Sequence, residues 1–213
     1  MSSIMMSVSS GRALPNETRA CTALFSAYWL SRGSAETQGS RIGRGEGALL
    51  KQGEAIAFRG QTECDWVRFD LSIATAPEDA ILAAPISLPT QPTDAACLLR
   101  LDQVTFPPGG IAWRHVHPGD GIRFLIRGGL RIIGDTHQET AGPGHAWFEH
   151  ANSPVRAEAD QQAATTSFVR FMVLPSAFVG KPTIQILDKH EAEQPRVQVT
   201  QRHVDKLAYV VPG

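Results

Sequence analysis

The sequence predicts an all-β protein, an antiparallel barrel or sandwich carrying a helical extension near its N-terminal end. From residue 97 onward, short apolar runs (CLLRLDQVTF, IAWRHVH, IRFLIRG, LRIIG, HAWFEH, TSFVRFMVLP) follow one another at short intervals. They are separated by turn-forming pieces rich in Gly and Pro (PPGG, PGDG, GG, GDTH, AGPG, NSP), and no helical period runs between them. Many short strands with such punctuation build antiparallel β architectures and exclude a parallel α/β sheet.

The 213 residues suffice for one well-filled domain with extensions. Apolar residues at 42%, charged residues at 19% and a formal net charge of -1 describe an ordinary globular chain. That charge gives no electrostatic case for nucleic acid or an anionic membrane as partner. Cys21, Cys64 and Cys97 are odd in number and far apart, so they form neither a disulfide framework nor a zinc knuckle, and a reducing compartment is expected. The first twenty residues lack the pattern of a signal peptide, and no stretch approaches the roughly 20 apolar residues of a membrane span. A cytoplasmic location is the resulting expectation.

Along the chain, residues 1 to 15 are Ser- and Met-rich without periodicity and read as a flexible arm. Asn16 is placed to cap a helix near residues 17 to 32, with Ala20, Leu24 and Tyr28 as its stripe, Phe25 and Trp29 widening it and Gly33 ending it. Residues 34 to 45 read as a polar linker, and EAIAF and DWVRFDL as strands. The expected division is therefore an arm and helix over 1–45 and a barrel domain over 46–213 with its core at 97–174. Residues 73 to 95 read as a long surface loop, and RVQVT and LAYVV in the tail as weak strands that either add sheet edges or pair with a second subunit. No internal repeat is convincing enough to claim two barrels.

The segment Gly109 to Gly121 carries the chemistry. His115 and His117 stand at i and i+2, so a strand puts both on one face, and inside a small barrel two imidazoles reach one metal ion. Such a pair alone also arises by chance on solvent faces. Here the surrounding residues add weight. Gly109, His115, His117 and Gly128 fall at the spacings of G-x5-H-x-H-x3,4-E-x6-G, and Gly144 begins a stretch at the position of G-x5-P-x-G-x2-H-x3-N. Over roughly residues 97 to 174 the chain thus resembles the cupin superfamily, of the single-domain microbial kind with degenerate metal motifs. The resemblance implies a cupin double-stranded β-helix (jelly-roll) barrel. It also implies a divalent metal (Fe, Mn, Ni or Zn) and a homodimer.

The departures are as informative. The motif's glutamate position is Gly121 and its second-motif histidine is Val155, while His150, Asn152 and Ala159 stand for its Pro, Gly and Asn. Two of the four family ligands remain, and two imidazoles alone hold a divalent ion poorly. Glu149, His150, Asp120 and His145 are candidates to substitute. Glu149 and His150 must face opposite ways on a strand, so His115, His117 and Glu149 form the candidate metal set, against the alternative that Glu149 is a surface residue beside a turn. Alternation from His117 sends Trp113, Arg123 and Leu125 inward and places Val155 across from them, which makes these four the candidate pocket. Arg123 then pairs either with an internal carboxylate, Glu149 or Asp102, or with a substrate carboxylate or enolate.

These readings lead to a metal-dependent enzyme acting on a small, anionic organic acid or carbonyl compound, with Arg123 and Glu149 as candidate catalytic residues. Oxygenase chemistry comes first, isomerase or lyase next. A metal-free cupin that binds a small ligand as sensor or storage protein is the alternative from another class. Acid-base catalysis by His115 or His117 is a third.

Overall fold

A computed structural model describes residues 3–89 and 96–210, and it divides the chain into two compact units, Met1–Leu88 with Tyr209–Gly213 and Pro89–Ala208. The first unit holds β1 (Ile4–Ala13), β2 (Thr18–Ala20), β3 (Phe25–Arg32), β4 (Ser34–Thr37), β5 (Ser40–Ile42), β6 (Gly47–Lys51), β7 (Ala55–Arg59), β8 (Cys64–Ile73) and β9 (Leu82–Ile86). They form two sheets, ordered β6-β3-β8-β1-β9 and β2-β7-β4-β5. Between the sheets the interior is filled by side chains such as Tyr28, Leu30, Leu50, Ile56, Phe58 and Trp66.

This unit corrects several expectations. The helix expected over residues 17 to 32 is β2 and β3, the arm is β1, and the linker is the β4-β5 hairpin. The boundary expected at residue 45 falls inside the first unit, and a second sheet pair occupies the span given to an extension. The physical reason lies in β3, whose residues Phe25 to Leu30 are all buried. A strand buried on both faces shows no alternation, and its aromatics fall by chance on a four-residue stripe. Asn16, expected as a cap, sits instead in a left-handed turn at φ 65°. The loop expected over 73 to 95 contains β9, which pairs with β1, and its residues 90–95 lie outside the described residues.

The second unit holds β10 (Ala96–Phe106), β11 (Ile111–Val116), β12 (Gly121–Arg127), β13 (Leu130–Gly134), β14 (Gln138–Ala141), β15 (Ala146–Glu149), β16 (Val155–Ala159), β17 (Thr166–Pro175), β18 (Gln185–Ile186) and β19 (Val199–Tyr209). Its sheets are ordered β15-β12-β17-β10-β19 and β14-β13-β16-β11-β18, and the pairs β10-β17, β12-β17, β12-β15, β11-β16, β11-β18, β13-β16 and β13-β14 are antiparallel. Every expected strand of residues 97 to 174 is present. The RVQVT stretch of the tail contributes the start of β19, an edge strand as expected. Among the described residues no helix is long and apolar enough to cross a membrane.

Candidate functional site

The registers of the first sheet of this unit lay side chains in rows on its inner face. Arg123 of β12 stands opposite Trp147 of β15 and Arg170 of β17, and Arg170 stands opposite Asp102 of β10. The next row holds Glu149, Gly121, Met172 and Arg100. Facing them, β11 and β16 bring Ala112, His115, Val155 and Ala157. The tail adds Arg196, Gln198, Thr200 and Arg202 at alternate positions. Together they enclose a cavity of about 400 Å³ within the unit. One end is apolar, lined by Val104, Phe106, Ile132 and Phe168, and the other is charged.

The imidazoles meet at the charged end. His115 Nε2 and His117 Nε2 are 3.2 Å apart, and both residues are about 95% buried (5% and 4% exposed). His115 Nδ1 lies 2.6 Å from the Trp113 carbonyl and His117 Nδ1 lies 3.1 Å from the Thr183 carbonyl. A carbonyl only accepts, so each Nδ1 carries the proton and each Nε2 presents a lone pair. Burial, the Arg170 and Arg123 charges and the adjacent His115 hold the His117 pKa well below its usual value. Burial likewise lowers His115, with Glu149 opposing.

Two lone pairs 3.2 Å apart fit two cis positions around one ion with bonds of about 2.1 Å, and the carbonyls that fix the tautomers are the usual outer partners of metal-bound histidine. The third position is not supplied in the same way. Glu149 Oε2 is 4.0 Å from His117 Nε2 and only 2.6 Å from Arg123 Nη2, while Oε1 accepts from Trp147 Nε1 at 2.9 Å. Among the described residues no three His, Cys, Asp or Glu side chains are grouped to hold an ion. The chain therefore fits half of an ion's protein shell, the imidazole half.

Arg123 is fully buried at 1% exposure, its Nη1 donates to the Gly121 carbonyl at 2.6 Å, and its Nη2 meets Glu149 as a contact of charges rather than an aligned hydrogen bond. Burial pushes its pKa down to about 10, with Glu149 opposing. Of the two partners expected for it, the internal one is present. A Cβ on Gly121 would lie 2.8 Å from Met172 Cγ and the Phe171 carbonyl and 3.0 Å from Arg123 Nη1. The space beside Gly121 is thus taken by Met172, the Phe171 carbonyl and Arg123.

Two members of the expected pocket, Trp113 and Leu125, do not line the cavity. The β11-β16 register shifts between Ala112 and His115, so one extra residue lies between two inward positions. This bulge turns Trp113 away from the cavity, where Arg156 lies 4.6 Å from its ring centroid. Val155 lines the cavity opposite His115, and Leu125 is buried in the core cluster beside Val104 and Phe168. His150 is exposed, as alternation with Glu149 requires.

Sequence reasoning missed Arg100, Arg170 and Arg202; of the two internal carboxylates offered for Arg123 it is Glu149 that meets it, while Asp102 meets Arg170 and Arg202. Arg170 Nη2 donates to Asp102 Oδ2 at 3.0 Å, Arg202 Nε stands 3.6 Å from Asp102 Oδ1, and Arg170 Nη1 is 3.4 Å from His117 Nε2. Arg100 is a clasp: it donates to Asp205 Oδ1, the Lys181 carbonyl and the Phe178 carbonyl at 2.7–2.8 Å. It thereby fastens the segment that presents the Thr183 carbonyl to His117. The available signal was a lone arginine inside an apolar strand, in CLLRL and in SFVRFMV, since a buried guanidinium requires partners.

No family model and no curated protein matches the chain in sequence. Solved structures do match its fold. A variant of the Bacillus subtilis oxalate decarboxylase OxdC aligns with a TM-score of 0.60 at 13% identity, over 89% of this chain and 73% of its own. AerE from Microcystis aeruginosa aligns with a TM-score of 0.56 at 12% identity, over 79% and 88%. A variant of salicylate 1,2-dioxygenase from Pseudoaminobacter salicylatoxidans aligns with a TM-score of 0.51 at 11% identity, over 93% and 75%. The fold is the all-β cupin barrel.

Proposed function

We propose that the cupin barrel of the second unit binds a small organic acid with an apolar body and acts on it with a divalent ion held by His115 and His117. The carrying observation is a cavity of about 400 Å³ whose apolar end faces a charged end where two imidazole nitrogens converge. An apolar body with a few convergent polar groups is the usual form of a small-molecule site. Counting charged side chains that line it, Arg100, Arg123, Arg170, Arg196 and Arg202 face Asp102 and Glu149. Arg100 is answered by Asp205 outside the lining, which leaves two guanidiniums in excess. That excess favours an anion. Two structural neighbours are named for small acids, oxalate and salicylate, which supports the same substrate class.

In this reading the arginines draw the carboxylate to the charged end, and Val104, Phe106 and Phe168 exclude water around the body. The neutral imidazoles keep their lone pairs available because burial and the neighbouring guanidiniums disfavour their protonation. A divalent ion there supplies Lewis acidity and, if it is iron, redox chemistry. Oxygenase chemistry is the first assignment, with isomerase or lyase chemistry next. We carry with it the expectation of a cytoplasmic homodimer, which light scattering tests in its second part.

The test is calorimetric titration with oxalate, benzoate and salicylate against their neutral amides. A preference of tenfold or more for at least one acid is expected. Equal affinity for acid and amide across the panel sinks the reading. A metal-free binding protein is the second reading, favoured by Glu149 being held by Arg123 rather than by the imidazoles. Elemental analysis of protein purified without added metal, beside a His115→Ala/His117→Ala variant, separates the two.

A further inference from the structure

Arg170 carries a donor that nothing in the protein answers. The residue is 8% exposed and lines the cavity. Its Nη2 donates to Asp102 Oδ2 at 3.0 Å and its Nη1 lies 3.4 Å from His117 Nε2, but its Nε has no hydrogen-bond partner among the described residues. A buried N–H without an acceptor costs free energy, and more so on a charged group. The charge is also incompletely met. Asp102 and Asp205 between them serve three guanidiniums, those of Arg100, Arg170 and Arg202. A carboxylate entering beside Arg170 supplies both the acceptor and the charge.

The strand register says where the rest of such a ligand lies. Phe168 precedes Arg170 by two residues on the inner face of β17, and Val104 of β10 faces Phe168 as Asp102 faces Arg170. Two residues of strand span roughly 6.8 Å. A body attached to a carboxylate at Arg170 therefore comes to rest one row away, over Phe168 and Val104. The walls there are aromatic: Trp147 meets Phe168 edge to face with centroids 5.3 Å apart, and the Phe106 ring lies 6.1 Å from that of Phe168. Such walls receive a flat ring in edge-to-face or offset contact, which a saturated ring of the same size cannot match.

We infer that Arg170 is the carboxylate anchor of the cavity, and that the acid it takes is an aromatic monocarboxylate lying along β17, its carboxylate on the guanidinium and its ring against Phe168 and Trp147. This rests on the acid-binding part of the reading proposed above and on none of its metal chemistry.

The experiment is calorimetric titration of the full chain, dialysed against a chelator so that no ion takes part, with benzoate, benzamide and cyclohexanecarboxylate. Benzoate binds at least about tenfold more tightly than benzamide and at least about threefold more tightly than cyclohexanecarboxylate. Arg170→Gln/Asp102→Asn removes one charge of each sign, so the net charge of the lining is unchanged and the buried pair leaves as a unit. In this double variant benzoate falls to the affinity of benzamide, while benzamide binds as it does to wild type and so reports an intact cavity. Arg170→Met/Asp102→Leu, an apolar replacement of the same pair, serves if the first variant does not fold. A double variant that prefers benzoate to benzamide as strongly as wild type does would show that excess charge alone holds the acid, which overturns the anchor and leaves the proposed function standing. Equal binding of benzoate and cyclohexanecarboxylate, or benzoate binding only after Mn²⁺ is added, overturns the inference in the same way. If no acid of the panel is preferred to its amide, this inference and the proposed function fall together.

Discussion

The Arg123–Glu149 pair gives the sharpest energetic test, because the same residues would behave differently if Arg123 were waiting for a substrate. Arg123 is 1% exposed, Glu149 has 14% of its side chain exposed, and their closest charged atoms are 2.6 Å apart. Glu149→Gln removes the charge but leaves an oxygen for Trp147 Nε1, so its cost isolates an orphaned, fully buried guanidinium. Breaking a buried pair from one side costs about 3–5 kcal/mol. Arg123→Met orphans the less buried carboxylate and falls near the lower end of that range, about 3 kcal/mol. The double variant removes both charges and fills the arginine's volume with an apolar chain, so it stands within about 1–2 kcal/mol of wild type. Urea and thermal unfolding of the four proteins close the cycle. Each single variant lowers the unfolding midpoint of the second unit by about 10 °C or more, and the double variant recovers most of it. Additive losses, with the double variant the least stable of the four, would refute the claim that these residues neutralise each other.

Two further outcomes follow from neighbouring features. Val155→His places a third imidazole opposite His115, where the second cupin motif has its histidine, so metal affinity measured without any acid rises at least tenfold; an unchanged affinity in calorimetry would mean that His115 and His117 do not hold an ion. Burial works against ionisation of Asp205, but hydrogen bonds from Arg100 and the Gly180 N–H win and hold its carboxyl below the usual range. The clasp therefore stabilises fully above the ordinary carboxylate pKa of about 4 and is lost as pH falls through the lower folded value. Asp205→Asn is expected to cost stability at neutral pH and flatten the acid limb of the unfolding profile, and parallel profiles for variant and wild type would count against the clasp.

What was legible in the sequence followed the pleat. In residues 97 to 174 the strands are short, the turns carry Gly or Pro, and counting by twos carries correctly across the PGDG turn from His117 to Arg123. The same count separates Glu149 from His150. It fails at Trp113 because a bulge inserts one residue, and a bulge in a strand without Gly leaves little trace in sequence. The first unit was illegible for a different reason. β3 is buried on both faces, and β1 buries Ser7 and Ser9 as well as Met6 and Val8, so neither shows the two-residue rhythm that marks a half-exposed strand. Arg170 was hidden in the same way, inside a strand with nine consecutive buried residues, where nothing local distinguishes the face toward the cavity from the face away from it.

The carboxylate of the site, that of Glu149, stands on β15, directly across the ladder from Gly121 of β12, so the acid missing from one strand is present on its neighbour. The change is not neutral, because side chains on paired strands approach the cavity from different lines. From β15 the carboxylate meets Arg123, whose guanidinium extends into the room that Gly121 vacates, and Met172 closes the remainder. The Glu149 carboxylate is the counter-charge of Arg123, and Arg170 and Arg202 share Asp102. Five guanidiniums and two carboxylates line the cavity, so an anion entering it would meet more opposite than like charge. A glutamate placed at position 121 would meet the Phe171 carbonyl, Met172 and Arg123 before it could reach the imidazoles, so Gly121→Glu is expected to strain the sheet rather than supply a third ligand.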